Sequence, residues 1–282
     1  MTRWEAGGRV IVGGRHPRVM GVVNVTPDSF SDGRGAIDLD AAAERGRRLA
    51  AEGAHLLDIG GESSRPGSEP ISAEEEARRV IPLIESLAGC VRLPISVDTT
   101  KAEVARKALW AGAVIINDIT AMAGDPAIAR VVADADAGVV LMHMQGVPQT
   151  MQVEPQYADV VAEVYDFLAA RVAWAEAQGI SRERIAIDPG IGFGKTGDHN
   201  LALLRNLGRF ATLGCAVVVG TSRKRFLGTL TGRPTAERVT ASVVSSLAGL
   251  MHGAHVVRVH DVAPMVDALK VWEALGGWDE TR

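Results

Sequence analysis

The chain has 282 residues, 47% of them apolar, and a formal net charge of −4. That length suits one large domain with a sizeable core. The near-neutral balance, with no basic stripe or like-charge block, speaks against a nucleic-acid groove, and no apolar stretch approaches the ~20 residues that would cross a bilayer.

Residues 10–12, followed by Gly13 and Gly14, predict a short strand that turns back before the main fold, as a two-stranded plug over a floor. The first residues carry several arginines and no apolar signal core. Cys90 and Cys215 lack metal-ligand spacing and are expected as reduced thiols in a cytoplasmic protein. Eight β-branched runs follow, at 19–25, 55–60, 94–98, 114–117, 138–143, 185–188, 216–221 and 256–260. Helices are predicted between them. The first spans 38–52 and closes at Gly53; the second opens on a capping box of Ser72 and Glu75 and runs to about residue 88. Others cover 99–111, a segment opened by Asp125-Pro126, 157–178, a segment beginning near His199, 223–228, 235–253 and 264–275. Regular strand–helix alternation predicts an α/β fold, a single (β/α)8 TIM barrel over residues 19–276, preceded by an extension over residues 1–18 with a short N-terminal β-hairpin.

Each run ends at a polar residue that a core strand does not want: Asn24, Glu62, Asp98, Asn117, His143, Asp188, Ser222 with Lys224, and Arg258 with His260. In this fold the C-terminal strand ends converge on one mouth, where the chemistry sits. Asp98, Asn117 and Asp188 together offer acceptors and donors that complement a flat nitrogen heterocycle. The competing reading of each is a cap for the following helix. Ser222-Arg223-Lys224-Arg225 follows the seventh run, where phosphate sites recur, unless it is a solvated basic turn. Strand alternation puts Arg258 and His260 on one side, suited to an anionic leaving group. Asn24 supplies an amide oxygen for a hard cation such as Mg2+. The loops at 26–35 and 62–67 overhang the same rim and read as closing lids that carry Asp28, Asp32, Ser64 and Arg65.

The segments Asn24-Val-Thr-Pro-Asp-Ser-Phe-Ser-Asp32-Gly33, Gly61-Glu-Ser-Ser-Arg-Pro-Gly67, Ser222-Arg-Lys224 and Arg258-Val-His-Asp261 resemble those of the dihydropteroate synthases. So do Asp98, Asn117-Asp118, Met142-His143-Met144 and Asp188-Pro-Gly-Ile-Gly-Phe-Gly194, in order over most of the chain. Ser64 stands where Thr is more usual, which preserves the hydroxyl, and Arg34 interrupts a usual Gly-Gly pair. The resemblance implies a folate-pathway transferase that joins 4-aminobenzoate to (7,8-dihydropterin-6-yl)methyl diphosphate. It implies that Asp98, Asn117 and Asp188 bind the pterin ring, with Met142 and Lys224 against it. Asn24, Arg258 and His260 then hold the diphosphate, with Mg2+ on Asn24. The lids, through Asp32, Ser64 and Arg65, close over an aminobenzoate site lined by Phe193, Ser222 and Lys224, where sulfonamides compete. A homodimer through the late helices is also implied. A pterin-binding methyltransferase barrel would share Asp98, Asn117 and Asp188 but not the lids or the basic strand ends. A non-catalytic paralogue would bind without turnover.

Overall fold

The structure, a computed structural model, describes residues 2–14, 16–26 and 38–277. Eight parallel strands form a closed barrel: β3 (Arg18–Asn24), β4 (Leu56–Gly60), β5 (Ile95–Asp98), β6 (Ile115–Asp118), β7 (Gly138–Met142), β8 (Ile185–Asp188), β9 (Ala216–Val219) and β10 (Val256–Val259). β10 pairs with β3 to shut the ring, with Arg258 opposite Met20.

The hairpin is present, but its turn differs from the sequence expectation. β1 (Arg3–Ala6) and β2 (Arg9–Gly13) are antiparallel, so the chain reverses at Gly7-Gly8 rather than at Gly13-Gly14. Gly7 and Gly8 both have positive φ, a conformation that other residues adopt at a cost. Gly13 instead pairs with Arg3 as a strand residue.

Strand alternation divides the interior into two cores. Outward residues such as Val19, Leu57, Ile59, Val97, Ile116, Leu141, Ile187 and Val257 join the helices in one continuous apolar shell. Inward residues Met20, Leu56, Ile115, Val140, Ala186, Ala216, Val218 and Val256 form a second cluster inside the barrel. Trp4, Ala6, Ile11 and Val12 of the hairpin close this inner cluster from below. The Trp4 indole N–H donates to the Arg184 carbonyl at 3.1 Å, so the plug is hydrogen-bonded as well as packed. Each fully buried large side chain here contributes roughly 1.5–3 kcal/mol.

The shell helices are α1 (Leu39–Ala51), α2 (Ala73–Ala88), α3 (Ala102–Trp110), α4 (Ala127–Asp134), α5 (Val160–Ala177), α6 (Gly197–Arg205), α7 (Leu207–Ala211), α8 (Arg225–Thr231), α9 (Val239–Met251) and α10 (Val262–Ala274). Ser72 caps α2 as expected, its side chain accepting from the Glu75 N–H at 3.1 Å. Glu75 does not reach back; its carboxylate holds Arg79 at 2.7 Å and Arg78 at 2.6 Å. α3 begins three residues later than the sequence suggests, because Asp125, not Asp98, accepts the Ala102 N–H at 2.8 Å.

Candidate active site

Above the apolar inner cluster the inward positions turn polar within one strand step. Asp58 follows Leu56, Ser96 lies beside Asp58, and Arg258 follows Val256. The next row up runs across hydrogen-bonded neighbours as Asn24, Gly60, Asp98 and Asn117. Met142 and Asp188 stand side by side on β7 and β8. The sequence-predicted mouth is therefore assembled by register alone.

At its centre is an arginine held by two carboxylates. The Arg258 Nε donates to Asp58 at 2.6 Å, and its Nη2 donates to Asp98 at 3.0 Å. Asn117 donates its amide N–H to the same Asp58 oxygen at 3.2 Å. Asp58 is completely buried, and its other oxygen has no partner. This residue escaped the sequence reading, which took 55–60 as an apolar run. A lone carboxylate alternating with Leu57 and Ile59 was the available signal.

Burial raises the Asp98 carboxyl to about 7, against the downward pull of Arg258 and with help from Asp58. Asp98 does not cap α3, so the capping alternative fails there. It fails for Asp188 as well: its Oδ1 accepts the Gly190 N–H of the loop at 2.7 Å while Thr196 caps α6, and burial raises the Asp188 pKa. Asp118 faces away from the mouth. It binds the Thr120 and Met122 N–H groups at 2.7 and 2.8 Å and so fixes the loop after β6.

Lys224 crosses the rim from the start of α8. Its ammonium donates to the Ile191 carbonyl and sits 4.0 Å from the Phe193 ring centroid. Burial lowers its pKa to about 7, opposed by Asp188. Arg223 is not available for an anion in the way the basic run suggested. It forms a two-pronged pair with Asp261, at 3.0 and 2.6 Å, while Arg225 is exposed. Arg223 adopts φ 59°, and that left-handed turn is held by the Ser242 hydroxyl, which accepts its N–H at 2.9 Å. His260 lies 3.0 Å from the Ser222 hydroxyl through Nδ1. Burial, then Arg258 and Arg223, push His260 down to about 3. It is neutral and offers a hydrogen bond rather than a charge.

The loop after β4 overhangs this mouth. Ser64 and Asp98 line one small cavity with Thr99, Lys101 and Pro148, and the Gly67 N–H reaches the Pro148 carbonyl at 3.1 Å. Arg65 is exposed, yet its charge acts on His260 across the opening. Glu62 lines the same cavity, its carboxylate bound to Lys101, which also binds buried Glu76. Asp28, Asp32 and the rest of the first lid beyond Thr26 lie outside the described residues. His143 leaves the mouth, held instead by Lys195 at 2.9 Å.

Among the described residues, no group of three His, Cys, Asp or Glu side chains could hold a metal. Asn24 stands half-buried on the rim, with its amide oxygen 3.5 Å from where a Cβ on Gly60 would sit. One neutral oxygen fits a Mg2+ that brings most of its ligands with it, not a resident ion.

Residues 20–260 match the model of a family described as pterin binding enzyme. A dihydropteroate synthase of Neisseria meningitidis serogroup B is 49% identical over 97% of both chains. Two solved structures superpose closely. One is Xanthomonas albilineans dihydropteroate synthase with 4-aminobenzoic acid, with TM-score 0.91 and 51% identity, covering 98% of this chain and 99% of that one. The other is the Yersinia pestis dihydropteroate synthase in a sulfonamide drug complex, with TM-score 0.91, 40% identity and the same coverage.

Proposed function

This chain belongs to the pterin-binding enzymes and, among them, to the dihydropteroate synthases, and from that premise we propose how its own side chains divide the work. It is a transferase of folate biosynthesis, condensing 4-aminobenzoate with (7,8-dihydropterin-6-yl)methyl diphosphate to give 7,8-dihydropteroate and diphosphate.

The observation that carries the assignment of roles is the charge arrangement at the mouth. Asp58 and Asp98 face Arg258, and Asp188 stands in the field of Lys224, Lys195 and Arg258. Asp98, Asn117 and Asp188, with Met142 beside them, take the pterin ring. As the methylene–oxygen bond breaks, its electron pair leaves with the diphosphate, and positive charge grows on the pterin methylene. The Asp98 carboxylate, ionised above about pH 7 and already in place when substrate arrives, stabilises that cation. Arg258, Ser222 and neutral His260 face the departing diphosphate. Asn24 would hold a Mg2+ there, and that ion, when bound, neutralises charge on the diphosphate. The aryl amine nitrogen then forms the new C–N bond and gives up a proton. Phe193, Ser222 and Lys224 line its approach, and sulfonamides compete for the same place. Ser64 and Arg65 on one lid, and Asp32 on the other, exclude the water that would otherwise capture the cation.

We take residues 1–18 as a structural extension and residues 19–276 as the catalytic barrel. We also propose a homodimer through α8 and α9. Leu230, Val244 and Met251 are each more than 60% exposed there, beside an apolar groove of about 780 Å³ between α6, α8 and α9. No helix of the described residues is long and apolar enough to cross a membrane, and we place the enzyme in the cytoplasm. Release of diphosphate from the pterin substrate, strictly dependent on 4-aminobenzoate, tests the function; release without the amine, or none with it, overturns the reading.

A further inference from the structure

The glycine-rich segment after β8 is bound in through its backbone carbonyls. Four consecutive carbonyls each accept a side-chain donor from a different place. Ile191 takes Lys224, Gly192 takes the Gln152 amide at 2.6 Å, Phe193 takes Lys195 at 2.9 Å, and Gly194 takes the Tyr157 hydroxyl at 2.9 Å. Gly190, Gly192 and Gly194 all have positive φ, and in this turn the Ile191 and Phe193 carbonyls each meet a lysine side chain. A side chain at Gly190 is impossible without rebuilding, since its Cβ would lie 1.9 Å from the His143 carbonyl oxygen.

Lys195 is the buried member of that pair of cations, only 3% exposed. Besides the Phe193 carbonyl, its ammonium reaches the His143 ring nitrogen at 2.9 Å and the His143 carbonyl at 3.4 Å. Burial lowers the Lys195 ammonium to about 7; in its protonated form it has only donors, and His143 Nδ1 accepts. Burial pushes His143 down to about 3, which keeps it neutral and able to do so. No substrate role falls to Lys195 in the division of work above. Its three contacts join the exit of β7 to the peptide that carries the Phe193 ring, and that ring lies under Lys224.

We propose that Lys195 is a positioning residue for the condensation: by pinning the Phe193 carbonyl to the end of β7 it holds the Phe193 ring and the Lys224 ammonium in register for the aryl amine. The proposal rests on the placement of 4-aminobenzoate against Phe193. No substrate contact is assigned to Lys195; its charge also acts on Asp188 and Lys224, so the comparison with Phe193→Leu separates the contact through Phe193 from that field.

Steady-state kinetics with both substrates varied, on Lys195→Met, Phe193→Leu and the double variant, tests this. Lys195→Met is expected to raise the KM for 4-aminobenzoate about tenfold while the KM for the pterin diphosphate stays within about twofold. In the Phe193→Leu background the same substitution is expected to add almost nothing, the signature of two residues acting as one unit. Multiplicative effects, or both KM values rising together, would show a merely structural lysine and overturn the proposal. An unchanged 4-aminobenzoate KM in Phe193→Leu overturns the placement of the amine, and the proposal with it. A changed Phe193→Leu beside an unchanged Lys195→Met overturns the lysine's role alone. Should Lys195→Met not fold, His143→Phe decides. It removes one of the three anchors, and the 4-aminobenzoate KM is expected to rise about threefold; no rise overturns the proposal.

Discussion

The floor and the mouth of the barrel are made by the same strands, two residues apart. On β4, Leu56 belongs to the inner apolar cluster and Asp58 to the ion network; on β10, Val256 and Arg258 divide in the same way. The floor is sealed by Trp4 and gains its free energy from burial. The mouth holds charges that burial disfavours, offset by one another and by the Asn117 and Gly190 N–H donors. Stability and chemistry are thus separated by height along the barrel rather than by distance in sequence. Substitutions at the two levels should therefore fail in different ways.

The largest expected effect is at Arg258, where the separation itself should break down. Arg258→Ala is expected to lower turnover by about 10³-fold and also to destabilise the fold by about 3–5 kcal/mol, because Asp58 and Asp98 lose their common partner. The destabilisation should be smaller at pH 5 than at pH 8, since Asp98, raised to about 7, is protonated at the lower pH. Denaturant titrations at the two pH values measure this, and equal losses would contradict the shared-partner geometry.

Asp98→Asn should lower kcat by about 10²–10³-fold and leave the melting temperature at pH 8 unchanged or higher. The sign follows from linkage. Between pH 3.8 and about 7 the native state retains a proton on Asp98 that the unfolded chain has released. Ionising Asp98 therefore opposes folding, and its contribution to stability falls as pH rises through that window. The same ionisation should give kcat/KM a rising limb near pH 7, absent in Asp98→Asn. A limb in the ordinary carboxylate range would show that Asp98 is not the group.

At the floor, Leu56→Ala is expected to cost about 2–5 kcal/mol and leave both KM values unchanged. Altered substrate binding there would blur the comparison. The smallest effect is expected at Gly60, whose added Cβ would stand 3.5 Å from Asn24 Oδ1 and 3.5 Å from Asp98 Cβ, in ordinary contact. Gly60→Ala should fold normally and raise the KM for the pterin diphosphate by about threefold; an unchanged KM would remove this gap from the substrate's path.

The barrel and most of its mouth were legible because strand ends carry a strong local signal. Asn24, Asp98, Asn117, Asp188 and Arg258 each interrupt a β-branched run, and the fold dictates that such interruptions converge. What escaped was pairing. Asp58 looks like one polar residue in an apolar run until β10 brings Arg258 across the barrel. Arg223 and Asp261 each look like pocket residues until they meet each other. Lys195 stands unremarked at the end of a glycine-rich segment, although every carbonyl from Ile191 to Gly194 is taken. The hairpin turn was misplaced because two Gly-Gly pairs compete for it, and only the partner strand decides between them.

The seam between β3 and β10 has a consequence for biosynthesis. On the ribosome, Asp58 and Asp98 emerge long before the guanidinium that neutralises them, which belongs to the last strand of the ring. A nascent chain halted short of Val256 can neither shut the cylinder nor shield its acidic lumen. Completion of translation is thereby coupled to burial, and prematurely terminated fragments should stay open and be cleared by proteolysis.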